Sequence, residues 1–138
     1  MCTNHTVMTY RIPEPFERAL KSVREAVTRR GLSVPFELDI SRRINRELGI
    51  ALAPCRVLYV DHPLLLVQAM ALDGSAAGWL PQQVVVSGRG PQTLVQVVQP
   101  AGSRSNGSEQ ESPVEKVRSR LSRALQAVAM RESDYQTA

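Results

Sequence analysis

Asp61 and His62 stand side by side at the end of an apolar run, Val57-Leu58-Tyr59-Val60, and Cys55 precedes Asp61 by six residues. A carboxylate, an imidazole and a thiol are the residue types that ligate metals, act as general base with an orienting partner, or serve as nucleophile. Their spacing does not specify any of these. No Cys-x-x-Cys or His-x-x-x-His pattern fixes a metal geometry, and neighbouring residues at one strand end seldom point the same way. The plainer readings are preferred. Asp61 or His62 caps the helix that Pro63 opens, and Cys55 is an inert thiol on a strand. No residue is assigned a catalytic or metal-binding role, and no cofactor is identified.

A second corner, Trp79-Leu80-Pro81-Gln82, follows the same helix-like run and leads into Val84-Val85-Val86. These two breaks are where polar groups adjoin a dense apolar core. Asp61, His62, Pro63, Trp79, Leu80, Pro81 and Gln82 are therefore the candidate binding residues. The expectation is that both corners meet above one apolar layer and shape a small-ligand hollow or a surface for a partner.

The elements that must position these corners follow from periodicity. Met8, Tyr10 and Ile12 alternate with Val7, Thr9 and Arg11, a strand pattern ended by Pro13 and Pro15. Phe16, Leu20, Val23 and Val27 recur at helical spacing, and Gly31 stops that helix. Val34, Phe36, Leu38 and Ile40 alternate as a half-buried strand, with Pro35 arguing for a sheet edge. A short helix capped by Asp39 or Ser41 ends at Gly49 and carries Arg42, Arg43 and Arg46, read as a solvated face. The strand from Cys55 is apolar on both faces, which suits an interior position. Leu64 to Leu72 has almost no polar face and reads as a buried helix. Gln83 to Ser87 and Gln92 to Gln99 read as a hairpin turning at Ser87-Gly88-Arg89-Gly90. Residues 101–112, rich in Gly, Ser and charge, read as a flexible linker. Ser112-Pro113-Val114-Glu115 caps a final helix over 113–131 that returns to the core domain of residues 1–100.

The chain of 138 residues is sized for one domain, and its 43% hydrophobic and 4% aromatic content makes the core aliphatic. A net charge of +4, from 17 basic and 13 acidic residues mostly interleaved on helices, argues against a nucleic-acid partner on charge alone. Two cysteines at separate places argue against a disulfide, and a reducing compartment fits. Arg11, Glu14, Glu17 and Arg18 interrupt the first twenty residues, so no secretion signal is expected there, and no apolar run reaches membrane-spanning length. A cytoplasmic, soluble protein without membrane contact is the expectation. Strands and helices alternate, but no Gly-rich phosphate loop follows a strand and the hairpin is antiparallel. The pattern points to an α+β fold, a mostly antiparallel sheet with helices on one face.

Phe16, Gly31-Leu32, Glu37-Leu38-Asp39-Ile40, Leu48-Gly49, Val57-Leu58, Pro63, Leu80-Pro81, Val84-Val85-Val86 and Pro100 occur in the order of a known pattern. Over residues 6 to 100, with the last helix in register, the chain resembles the family catalogued as domain of unknown function number 302. The family's two cysteines fall at Asp61 and Gln82, its asparagine at His62, and its closing aspartate at Gln99. Chemistry built on that cysteine pair is not available to this chain. The resemblance implies a TATA-box-binding-protein-like fold, a curved antiparallel sheet with packed helices, often as a homodimer. It does not imply DNA binding.

The functional expectation is a non-catalytic binding or interaction module, working at the two corners and forming a homodimer. The alternative is an enzyme or a redox- or metal-linked protein using Asp61, His62 and Cys55.

Overall fold

The computed structural model describes residues 5–78, 80–100 and 112–129. Trp79, Cys2, nearly all of the expected linker and the end of the expected last helix lie outside them. Five strands and four helices are described: β1 (His5–Ile12), α1 (Phe16–Arg29), β2 (Ser33–Asp39), α2 (Ile40–Leu48), β3 (Cys55–Asp61), α3 (Pro63–Leu72), β4 (Gln82–Arg89), β5 (Gln92–Pro100) and α4 (Pro113–Val128). A 3₁₀ turn, Gly74–Gly78, follows α3. The strands form one antiparallel sheet in the order β1-β5-β4-β3-β2. The first two strands of the chain are thus the two edges, with α1 as the connection between them.

The core lies between one face of the sheet and the helices α1 and α4. Tyr10, Ile12, Leu58, Val60, Val84, Val86, Val95 and Val97 point to this side and are buried. Phe16, Leu20, Val23 and Val27 of α1, and Val117, Leu121 and Leu125 of α4, close over them. The stripe at helical spacing in each helix is what binds it there. Thr93 is buried with its hydroxyl donating to the Glu14 carbonyl at 2.8 Å, which ties the end of β1 to β5.

Two expectations about β2 separate. It is an edge strand, as Pro35 indicated. Its apolar row, however, is turned the other way. A register shift between Ser33 and Phe36 lets Val34 pack against the core while Phe36, 56% exposed, points to the uncovered face. The acidic row of β2 takes the helix side because arginines hold it there. Arg24 Nε and Nη2 donate to Glu37 Oε2 and Oε1, each at 2.7 Å. Arg56 Nη2 donates to Asp39 Oδ2 at 2.9 Å.

The hairpin also differs in place. Its turn is Gly90-Pro91, and Ser87-Gly88-Arg89 continues β4. Gly90 has φ of +67°, which the turn requires. Gly88 serves a different need: a Cβ there would lie 3.3 Å from the Phe16 Cβ and 3.4 Å from Pro54 Cδ. The glycine admits α1 to the sheet rather than bending the chain.

Candidate functional site

The first corner is a helix entry. His62 has extended backbone and its Nδ1 accepts the Leu65 backbone N–H at 3.3 Å, so His62 is the N-cap of α3 and Pro63 its first residue. Asp61 closes β3 opposite Ser33 and is buried, with 7% of its surface exposed. Burial pushes its carboxyl up from the ordinary range, and the neighbouring His62 acts in the opposite direction.

The second corner enters the core. Leu80 is 1% exposed, the Leu80-Pro81 peptide is cis, and Pro81 is exposed. Gln82 is buried, and its Nε2 donates to the Val98 carbonyl at 3.1 Å and to the Gln83 carbonyl at 3.3 Å. Gln82 stands directly opposite Val60. The two corners do meet along one end of the sheet. Alternation, however, sends Val60 and Gln82 to the helix side and Asp61 to the other. Asp61 and Gln82 therefore do not face one hollow, and the aliphatic side chains of Leu80 and Val60 occupy the core between the corners.

Cys55 does not join Asp61 and His62. It opens β3, whereas Asp61 closes the strand and His62 follows, about 20 Å away at strand rise. Among the described residues no three His, Cys, Asp or Glu side chains gather. Cys55 and the Asp61-His62 pair therefore stand at opposite ends of β3. Burial and the charge of Asp39 push the Cys55 thiol up, away from the reactive thiolate.

The arginines of α2 are exposed, as a solvated face would be. Asp39 is the α2 cap, accepting the Arg42 N–H at 2.9 Å, and Arg43 pairs with Glu47 at 3.2 Å. At the other end of β3, α3 departs from expectation most clearly. Only Leu65 and Ala69 of its residues are buried. Leu64, Val67, Met70 and Leu72 are 60%, 63%, 45% and 77% exposed. A helix apolar all round belongs in an interior, yet here one whole side faces outward from the Asp61-His62-Pro63 corner. The sequence signal was present in the missing polar face, but it does not say which side lacks a partner.

The fold is that of an α+β protein with helices on one face of an antiparallel sheet. The sequence pattern of the family described as "Domain of unknown function DUF302" matches residues 8–128, and the chain belongs to that family. Among solved structures, the uncharacterized conserved protein DUF302 from Bacillus stearothermophilus is similar, with a TM-score of 0.72 at 16% identity. The match covers 88% of this chain and 97% of that one, and establishes the shared fold. No curated protein matches. No described helix is long and apolar enough to cross a membrane.

Proposed function

We propose that the protein is a non-catalytic interaction module whose working surface is the outer side of α3, beside the Asp61-His62-Pro63 corner, and that its partner there is a second copy of the chain. One observation carries this reading: α3 bears no charged residue, yet Leu64, Val67, Met70 and Leu72 are exposed. Contiguous apolar surface of a few hundred Å² on a soluble domain marks an interaction site. An uncharged face is self-complementary, so two α3 helices related by a two-fold axis cover each other. A ten-residue helix is about 15 Å long, so the pair buries less than the roughly 800 Å² per partner of a standard stable interface. The expected dimer is weak and concentration-dependent.

Sedimentation velocity over a dilution series tests this. The reading expects a monomer–dimer equilibrium that Val67→Arg shifts fully to monomer without changing the far-ultraviolet dichroism. A wild-type chain that stays monomeric at several hundred micromolar, or a Val67→Arg chain that still dimerises, contradicts it.

A further inference from the structure

We propose that the uncovered face of the sheet binds single-stranded nucleic acid. Net charge alone does not favour this partner; what charge lacks, the strand register supplies. Phe36 and Tyr59 are directly opposite across β2 and β3, on the face without helices. Their ring centroids are 5.4 Å apart at an interplanar angle of 44°. Of the four described aromatic residues, Tyr10 and Phe16 are in the core and these two are together outside it. Aromatic rings side by side on an open antiparallel sheet are the platform on which unstacked bases are held, and base stacking is tolerant of sequence.

Basic side chains at one end of this face are complementary to a phosphate backbone. β2 ends and β3 begins at the same end of the sheet as the β4–β5 hairpin, since Cys55 stands opposite Ser87. That end therefore carries exposed Arg42 and Arg46 of α2 and Arg89 of the hairpin. Arg89 is six residues along β4 from Gln83, the partner of Tyr59, a reach of about 20 Å. The acids of β2 do not oppose this field. Glu37 and Asp39 face the helices and are bound by Arg24 and Arg56. Asp61 follows Tyr59 by two residues on the open face, about 7 Å along β3, and its burial favours the neutral form. Gln83 and Gln96 add amide groups that can meet base edges.

Fluorescence anisotropy with labelled oligo-dT, oligo-U and a duplex of equal length tests the proposal on the full chain. The expected result is binding of the single strands in preference to the duplex, weakening with salt. Phe36→Ala and Tyr59→Ala each weaken it about tenfold with the salt slope unchanged, while the Arg42→Ala/Arg46→Ala double variant flattens the slope. Phe36 is largely exposed, so the Phe36→Ala chain keeps its fold, which a thermal melt verifies. The proposal is overturned if no oligonucleotide binds at low salt, if duplex binds as well as single strand, or if Phe36→Ala binds like the parent. It is equally overturned if Phe36→Ala alters only the sedimentation of the chain, which would give this face to a second copy. Val67→Arg leaves oligonucleotide binding intact, so the α3 reading and this one fail separately.

Discussion

Asp61 and Gln82 sit one residue out of step across the β3–β4 ladder: Gln82 faces Val60, and Asp61 leaves the sheet on the opposite side. Two polar residues that close the same end of the sheet are thereby given different surroundings. Gln82 is satisfied by two backbone carbonyls, whereas no hydrogen bond to the Asp61 carboxyl is found among the described residues.

The pH dependence of Asp61 follows from this. Burial raises its folded-state pKa, so ionisation opposes folding, and stability is lost as pH rises through the folded value. Asp61→Asn is expected to raise the melting temperature at pH 7 to 8. The gain closes below about pH 4, where the wild-type group is protonated both folded and unfolded. Melts of both chains from pH 3 to 8 measure the difference, and a gap independent of pH contradicts the account.

Glu37 and Asp39 have the opposite sign. The Arg24 hydrogen bonds hold the Glu37 carboxyl below its ordinary range, and the Arg42 backbone N–H does the same for Asp39. Their contribution is present above the ordinary carboxylate pKa and is lost as pH falls through the depressed folded values. Arg24→Met removes the fork on Glu37. With the Arg24 side chain 41% exposed, solvent limits the loss to about 1 kcal/mol at pH 7. The loss shrinks towards zero in acid, and urea titrations at pH 7 and pH 3 check both halves.

The cap on α3 gives a second stability test. His62→Ala leaves the Leu65 N–H without its acceptor and is expected to cost about 1 kcal/mol. His62→Ser, which supplies a stronger N-cap, recovers that loss. A serine variant no better than alanine in chemical denaturation refutes the capping role.

Two leucines separate what is packed from what is presented. Leu121 of α4 is 1% exposed in the core beneath α4, and Leu121→Ala is expected to cost about 3 kcal/mol. Leu72 of α3 is 77% exposed, and Leu72→Ala in the dilute monomer changes stability by no more than about 0.5 kcal/mol. Denaturation midpoints at low micromolar concentration measure both.

Much of the fold was legible because local chemistry and tertiary role agree. Pro35 marked β2 as an edge, Asp39 and Gly49 bracketed α2, and Pro63 placed the start of α3. The stripe of α1 specified its buried side residue by residue. What could not be read depends on partners distant in sequence. The side to which Phe36 turns is decided by a bulge and by Arg24 and Arg56 holding the acids of β2. Gly88 looked like a turn residue, but its reason is the approach of Phe16 and Pro54. The divergence of Asp61 and Gln82 is a matter of register, which neither corner encodes. An apolar helix such as α3 reads as buried whether its cover comes from its own chain or from another.

The most direct measurement of the central claim is oxidative cross-linking at Val67. In a Cys2→Ser/Cys55→Ser background, Val67→Cys places a thiol at the middle of the outer side of α3, near the proposed two-fold axis. Mild oxidation is predicted to give a covalent dimer from Val67→Cys, and none from Val85→Cys on the uncovered sheet face. A Val67→Cys chain that stays monomeric while Val85→Cys cross-links would contradict the assignment of α3 as the self-association surface.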